Sequence, residues 1–392
     1  MTHLAFTLIG GRNWTGGYNY LLNLVGLLAT HGAARVTPLL FFGTDVADSE
    51  VAPFLRIANA RVVRSPLLNQ SRKTVSLARS VVLGVDSPVR ALFTANGVDV
   101  VFESAQYFGR RLGLPAIAWI PDFQHRRLRQ LFTKHAFWRR ELGFRAQVAG
   151  SRHIMLSSAD AQADCHRYFP ATRGRTHVVR FAVAAPKALQ FEHARAIADS
   201  YGLPPRYFFM PNQFWQHKNH ALVVDALALT RERAHDVVVA ASGEQHDPRN
   251  PGHVSALLAR ISSLGLDRNL RLLGMVPYQH VSALMMASQA LLNPSRFEGW
   301  STAVEEARSI GVPMLLSDIP VHREQADGIA TFFDPDSSAS LADTLSAYRA
   351  LDNETRSARA QQAAAESDVR VKRFVSDFIE LVELVCRPSR RT

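Results

Sequence analysis

A chain of 392 residues is long for one ordinary domain and suits two of about 200 residues each. Hydrophobic residues make up 47% and charged residues 20%, which excludes a disordered chain, and no run approaches the roughly 18 uncharged apolar residues of a membrane span. The formal net charge of +11 points to an anionic partner.

In chain order, the opening MTHLAFTLIGGRNW lacks a basic leading region and has only a short apolar stretch, so it reads as a first strand and not a signal peptide. Continuous apolar, β-rich runs recur at residues 4–9, 36–42, 98–103, 116–120, 153–157 and 177–181. A second set lies at 207–210, 237–241, 270–273, 290–293, 314–317 and 330–333. They do not alternate with polar residues, as expected of parallel strands buried on both faces. Amphipathic stretches such as 18–31, 220–233 and 253–264 lie between them and supply crossover helices. Repeated strand–helix units predict an α/β protein with two doubly wound, Rossmann-like sheets. The boundary falls in AAPKALQFEHARAIADSYGLPPR, where a proline, a short helical stretch and a Pro-Pro pair read as linker punctuation. Near the end, Val371, Phe374, Val375, Phe378, Leu381, Val382 and Val385 keep helical spacing, predicting a terminal helix.

The charge is unevenly placed. Residues 1–190 carry 24 Lys and Arg against 10 Asp and Glu, whereas 191–392 carry 21 against 24. The basic excess peaks between Arg110 and Arg145. Such a surface attracts nucleic acid, an anionic membrane leaflet or a pyrophosphate-bearing substrate, and the alternative is a merely solvated basic face. No nucleic-acid module or zinc finger accompanies the charge, so nucleic acid is not expected as a partner. Two cysteines, Cys165 and Cys386, can neither staple a chain of this size nor build a zinc site alone, so a reducing, cytoplasmic compartment is expected.

The most informative stretch is LLNPSRFEGWSTAVEEARSIGVPMLLSD at 291–318, read as strand, loop, helix, tight glycine-containing turn and strand. Ser301 or Thr302 is expected to cap the helix, with Glu305 in a loose capping-box position. The amides and positive dipole of that N-terminus form an anion site suited to a phosphate. Glu298 and Glu306, with seven residues between them, flank it, and two carboxylates beside a phosphate more plausibly accept hydroxyl hydrogen bonds than seek the phosphate.

This stretch resembles the Glu–seven residues–Glu motif of retaining family 4 glycosyltransferases of the bacterial surface-polysaccharide type. FFMPNQFWQHKNHALVVDAL (208–227), VVVAASGE (237–244), LRLLGMVPYQHVSALMMASQALLNPS (270–295), SDIPVHREQ (317–325) and FFDPD (332–336) resemble the family's C-terminal domain in the right order. In residues 1–185 the likeness rests on GGRNWTGGYNYLLNLVGLL (10–28), WIPDFQH (119–125) and SSADAQADCHRYFP (157–170). The resemblance implies the GT-B fold, two such domains facing across a cleft. Residues 1–188 would then bind the acceptor, 189–204 form a linker, 205–368 bind the nucleotide sugar, and 369–388 form a helix crossing back to the first domain.

Carried over by position, the resemblance puts Glu298 on the donor sugar, Glu306 on the nucleotide ribose, and Gly299, Trp300, Ser301 and Thr302 around the diphosphate. Lys218 falls where a lysine neutralises the leaving phosphate; by itself it reads more simply as a surface lysine opening a helix, and its register with Glu298 reverses that reading. Asn212 and Gly243 lie in the loops facing the donor, the base would sit near Val276, Pro277 and Tyr278, and Gly16 and Gly17 would face the donor phosphates. Pro211-Asn212 stands where the family commonly has Gly-Arg, which leaves Arg296 or Arg12 to supply the missing charge. Ser301-Thr302-Ala303 stands for Gly-Leu-Pro, and Pro121-Asp122 for a His-Asp pair, making Asp122 and His125 candidates for the catalytic group. The spacing of the N-terminal glycines is not the dinucleotide fingerprint, which argues against a nicotinamide enzyme.

Asp334-Pro335-Asp336 reads as a turn and not a metal site, and His217 and His220 as loop and helix-surface residues; no metal or cofactor is expected. The family reading is a metal-independent, retaining hexosyltransferase in polysaccharide or lipopolysaccharide synthesis. Its donor would be a nucleotide-diphosphate sugar, GDP-mannose preferred over UDP- and dTDP-sugars. Its acceptor would be a saccharide or lipid-pyrophosphate-linked saccharide, with peripheral contact to the inner membrane face. A sugar-nucleotide epimerase or hydrolase, and a non-catalytic sugar-nucleotide binder, remain the alternatives.

Overall fold

A computed structural model describes residues 1–8, 15–104, 106–186 and 190–387. The chain divides into two compact units. The first comprises Met1–Phe123, Lys134–Arg180 and the chain from Val371 onward; the second comprises Gln124–Thr133 and Phe181–Arg370.

In the first unit, β1 (Thr2–Thr7), β2 (Val36–Phe42), β3 (Arg61–Arg64), β4 (Val100–Ser104), β5 (Ala116–Ile120), β6 (His153–Leu156) and β7 (Thr176–Val178) form one sheet in the order β3-β2-β1-β4-β5-β6-β7. Every neighbouring pair is parallel. Aromatic side chains fill one of its faces: Phe6 lies 5.4 Å from Phe102, which lies 6.0 Å from Trp119. Phe378 of the terminal helix (Asn353–Cys386) stacks on Phe6 at 6.3 Å.

In the second unit, β8 (Phe208–Met210), β9 (Val239–Ser242), β10 (Leu270–Gly274), β11 (Leu291–Asn293), β12 (Met314–Ser317) and β13 (Thr331–Phe333) run in the order β10-β9-β8-β11-β12-β13, again all parallel. Alternate residues of each strand enter different cores. Phe208, Met210, Leu292 and Leu315 pack with Val223, Leu227 and Leu341 on one face. Phe209, Leu291 and Leu316 pack with Leu284, Val304 and Ile310 on the other. Because both faces are covered, the strands read as unbroken apolar runs. Both sheets are Rossmann-like, as expected.

Four features differ from the sequence reading. β3, RVVR, carries arginine at both ends and sits at the sheet edge, so its two valines gave no strand signal. Phe191–Ser200, the short helical stretch expected within the linker, is packed into the second unit, with Ala194 and Ala198 buried beside Tyr207. The terminal helix starts at Asn353, well before the expected 369. Its first half is rich in Ala, Gln, Glu and Arg, good helix formers with too few large apolar residues to show a period. Gly16 and Gly17 lie in the first turn of the helix Thr15–His31 and not in the loop before it; Gly10, Gly11 and Arg12 lie outside the described residues.

The first unit buries one ion pair outright. Arg152 Nη2 donates to Glu103 Oε1 at 3.0 Å and to the Gly109 carbonyl at 2.7 Å, and the Phe108 amide donates to the same carboxylate at 3.0 Å. Burial pushes the Glu103 carboxyl up, with Arg152 opposing the rise. Removing one partner strands the other charge. Arg152→Met should cost about 3–5 kcal/mol in urea unfolding, and Glu103→Leu added to it should recover most of that loss.

Candidate functional site

The conserved logic of an open parallel sheet places ligands outside the carboxyl ends of the strands, where the strand order reverses. In the second unit the reversal lies between β8 and β11. The two loops leaving these strands are joined there: Asn212 Nδ2, just after β8, donates to Asn293 Oδ1 at the end of β11 (3.2 Å). Asn293 Nδ2 in turn donates to Ser301 Oγ at 2.9 Å.

On this frame sit the two residues singled out most strongly by sequence. Lys218 Nζ lies 2.6 Å from Glu298 Oε1, with the two side chains only 14% and 9% exposed. The Ser295 hydroxyl is 2.8 Å from the same carboxylate oxygen and 2.7 Å from Asn293 Oδ1, sharing its proton between them. Burial alone would raise the Glu298 carboxyl, but the adjacent Lys218 ammonium and the Ser295 hydroxyl outweigh it and hold the group below its ordinary value. Glu298 is therefore ionised. Lys218 has three donors and spends one on Glu298.

The helix Thr302–Ile310 opens beside this pair. Ser301 stands at the N-cap, but its side chain makes no capping bond, and the expected capping box is not formed. The Ser301 hydroxyl is taken by Asn293, while Glu305 turns into a buried pair with Arg308 (2.9 Å). Gln325 does the work instead: its Oε1 accepts from the Ser301 amide and its Nε2 donates to the Ser301 carbonyl, both at 3.0 Å. The amides of Thr302, Ala303 and Val304 follow in the first turn, where a helix has no internal acceptor for them and its dipole favours an anion. At the other end Gly311 closes the helix at φ 73°, where a Cβ would lie 2.7 Å from the Arg359 carbonyl.

Glu306 behaves differently from Glu298. Burial raises its carboxyl to about 7, against the hydrogen bond it accepts from the Tyr278 hydroxyl at 3.0 Å. Tyr278 is 54% exposed, so water reaches the pair and tempers the rise. Tyr278 opens the helix Tyr278–Ala287 just after Val276 and Pro277, so the residues expected at the base join Glu306 in a second group. Gly243, after β9, is obligatory: at φ 146° a Cβ would lie 2.5 Å from the Asn212 carbonyl, so the two loops touch backbone to backbone.

Other expected residues are placed elsewhere. Trp300 is tied down, its indole donating to the Phe181 carbonyl at 2.9 Å, and Gly299 lies between it and Glu298. Asp122 belongs to the first unit and pairs with Arg140 at 2.6 Å. His125 belongs to the second unit, where it is wholly buried and edge-on to Phe132. Gly16 and Gly17 belong to the first unit. Arg296 is exposed and pairs with Asp336 at 3.1 Å. Asp334 Oδ1 accepts from the Asp336 amide, closing the expected turn.

Neither His217 nor His220 is a surface residue; His220 is buried flat against Phe214 at 4.1 Å, and burial lowers it to about 3. His322, Gln325 and Arg249 were not expected. His322 is buried, lowered by burial to about 4 and so neutral, and its Nδ1 lies 2.9 Å from the Ser317 carbonyl. Their only sequence signal was the position of HREQ inside a Pro-opened helix, and of Arg249 in a polar loop after β9. Among the described residues no three His, Cys, Asp or Glu side chains are grouped to hold a metal ion.

Residues 196–367 match the family described as Glycosyl transferases group 1. The whole fold is similar to that of Anabaena HepE in complex with UDP and glucose (15% identity, covering 98% of this chain and 100% of that one, TM-score 0.71). It is likewise similar to WaaG, a glycosyltransferase involved in lipopolysaccharide biosynthesis (14%, 97% and 99%, TM-score 0.64), and to a glycosyltransferase from Rickettsia africae (12%, 98% and 97%, TM-score 0.66). The fold is GT-B. None of the curated proteins compared with it shows significant similarity.

The raised Glu306 carboxyl gives a pH test. From the ordinary 4.5 up to about 7 the folded chain keeps a proton that the unfolded chain has released, so this group's contribution to stability is present at low pH and is lost as pH rises through that window. Glu306→Gln removes the titration. The melting temperature of the variant relative to the unsubstituted chain should rise between about pH 5 and about pH 8, read by scanning fluorimetry.

Proposed function

We propose that the chain is a retaining glycosyltransferase that moves a sugar from a nucleotide diphosphate to a saccharide or lipid-pyrophosphate-linked saccharide. The observation that carries this reading is the buried Lys218–Glu298 pair beside the open amides of the helix Thr302–Ile310, at the point of strand reversal. Breaking the anomeric C–O bond leaves its electron pair on the diphosphate oxygen and positive charge on the sugar. Lys218 and the helix amides oppose the first charge. Glu298, ionised and with both protein hydrogen bonds on Oε1, offers Oε2 to a sugar hydroxyl. The acceptor oxygen bonds to the anomeric carbon on the vacated face, and its proton passes to the leaving phosphate. Glu306 and Tyr278 would receive the ribose and base. The first unit would hold the rest of the acceptor, and Asp122, His125, Gly16 and Gly17 stay in the reading as acceptor-side or donor-phosphate candidates.

The same reading places the enzyme against the inner face of a membrane. Among the described residues no helix is long and apolar enough to cross one. Two helices of the first unit nevertheless expose apolar side chains among basic ones. Lys73–Val82 exposes Val75, Leu77, Val81 and Val82 (79%) near Arg72, Lys73 and Arg79. Lys134–Val148 exposes Trp138 and Leu142 (60%), four residues apart on one face, near Arg139 and Arg145. Apolar and basic surface together suit an anionic bilayer interface.

Lys218→Ala and Glu298→Gln should each lower turnover by about 10²–10³ while circular dichroism stays unchanged, and near-normal turnover in either would remove the assignment. A thermal-shift panel of GDP, UDP, dTDP and ADP should single out one nucleotide, with GDP-mannose the first donor to test. Vesicles rich in phosphatidylglycerol should bind the chain, less so in high salt as screening shortens from about 10 Å at 0.1 M to about 3 Å at 1 M. Val82→Asp with Leu142→Asp should abolish that binding; unchanged binding would remove the membrane reading.

A further inference from the structure

Residues 124–133 follow β5 in sequence but cluster with the second unit, where Arg249 contacts them. Arg249 Nη1 donates to Gln124 Oε1 at 3.0 Å, and its guanidinium lies over the rings of Phe132 (5.5 Å) and Trp215 (5.1 Å). Asp247, itself buried, receives the Arg249 amide at 3.0 Å on one oxygen and the Gln216 amide at 2.9 Å on the other. Between these parts is a cavity of about 290 Å³, walled by Gln130 and Phe132 on one side and by Gln216, Asp247, Arg249 and Asn250 on the other.

The chemistry of the walls selects the ligand. Arg249 and Asp247 cancel each other, so the lining has no net charge to draw a phosphate. What remains are carboxamides. Gln216 Oε1 accepts from Asn250 Nδ2 at 3.1 Å, which leaves Gln216 Nε2 as a donor and Asn250 Oδ1 as an acceptor. Gln130 adds a further amide at an exposed position, and Phe132 adds an aromatic wall. Paired amide donors and acceptors beside an aromatic ring match the hydroxyls and C–H faces of a sugar. The volume lies just below the roughly 300–1,000 Å³ usual for drug-sized ligand pockets, which suits a single ring.

The cavity also adjoins the reacting centre. Gln216 opens the 3-10 turn Gln216–Lys218 that delivers Lys218, and the Arg296 amide bonds the His217 carbonyl of that turn at 2.9 Å, tying it to the loop that carries Glu298. We infer that this cavity is a saccharide subsite on the second unit, built by the Gln130–Phe132 segment and the loops after β8 and β9, and that it holds a neutral sugar ring of the acceptor beside Lys218. The inference rests on the glycosyltransferase reading for the word acceptor, but the sugar binding stands by itself.

The test uses the full chain and free mannose, galactose and glucose as probes, each read by saturation-transfer difference NMR. At least one should give a signal that falls about fivefold in both Gln130→Ala and Asn250→Ala, the scale of one lost hydrogen bond. Nucleoside diphosphate binding, followed by calorimetry on the same samples, should be unchanged in both variants. Three results overturn the subsite: no sugar signal from the unsubstituted chain, a signal that survives both substitutions, or inorganic pyrophosphate as the ligand whose binding these substitutions weaken. Absence of any nucleotide binding would instead strike the glycosyltransferase reading, since the sugar measurement needs no nucleotide.

Discussion

A carboxylate cannot be left ionised in a protein interior without partners, and the second unit is arranged around one such group. Glu298 is compensated by Lys218 from the loop after β8 and by Ser295 from its own loop after β11. These loops leave adjacent parallel strands from which the strand order runs to opposite edges of the sheet, so a sheet reversing its order between β8 and β11 brings them together. The Asn212–Asn293–Ser301 chain then fixes their separation. Moving either loop would strip Glu298 of its cation, which makes the ion pair both a product of the topology and a restraint upon it.

The helix at this point shows the same economy. A serine at an N-cap ordinarily closes its own helix, yet Ser301 is held by Asn293 on its hydroxyl and by Gln325 on its backbone. A side chain from the next helix, Pro320–Ala326, thus does the anchoring. Ser301 does not fold back over the first-turn amides, and the dipole end is not neutralised by its own cap.

Most of the fold was legible because its strands are buried on both faces. Val36–Phe42, Ala116–Ile120 and Met314–Ser317 have the same limits in sequence and structure, since unbroken apolar runs end where burial ends. β3 was illegible for the opposite reason: an edge strand with two arginines has little to bury. The link between Lys218 and Glu298, 80 residues apart, was expected only through a resemblance, and the structure adds that the two touch. His322, Gln325 and Arg249 could not be found from periodicity, because each acts through a long-range polar contact. Gln325, for instance, reaches Ser301 across 24 residues and belongs to a helix whose sequence shows only where it begins.

The two acids of the motif show how one residue type acquires two behaviours. Glu298 is buried and Glu306 half-buried, and desolvation pushes each carboxyl up. Glu298 faces an ammonium, which reverses the sign; Glu306 faces, among the described residues, the Tyr278 phenol, which cannot. Consequently one is a fixed acceptor near neutral pH while the other stands close to its own titration point. A hydroxyl presented to Glu298 meets charge, whereas one presented to Glu306 meets a group that is as ready to donate as to accept. Adding a cation near Glu306, or removing Lys218, would bring the two into line, so the asymmetry is set by one lysine and by the absence of its counterpart eight positions along the motif, among the described residues.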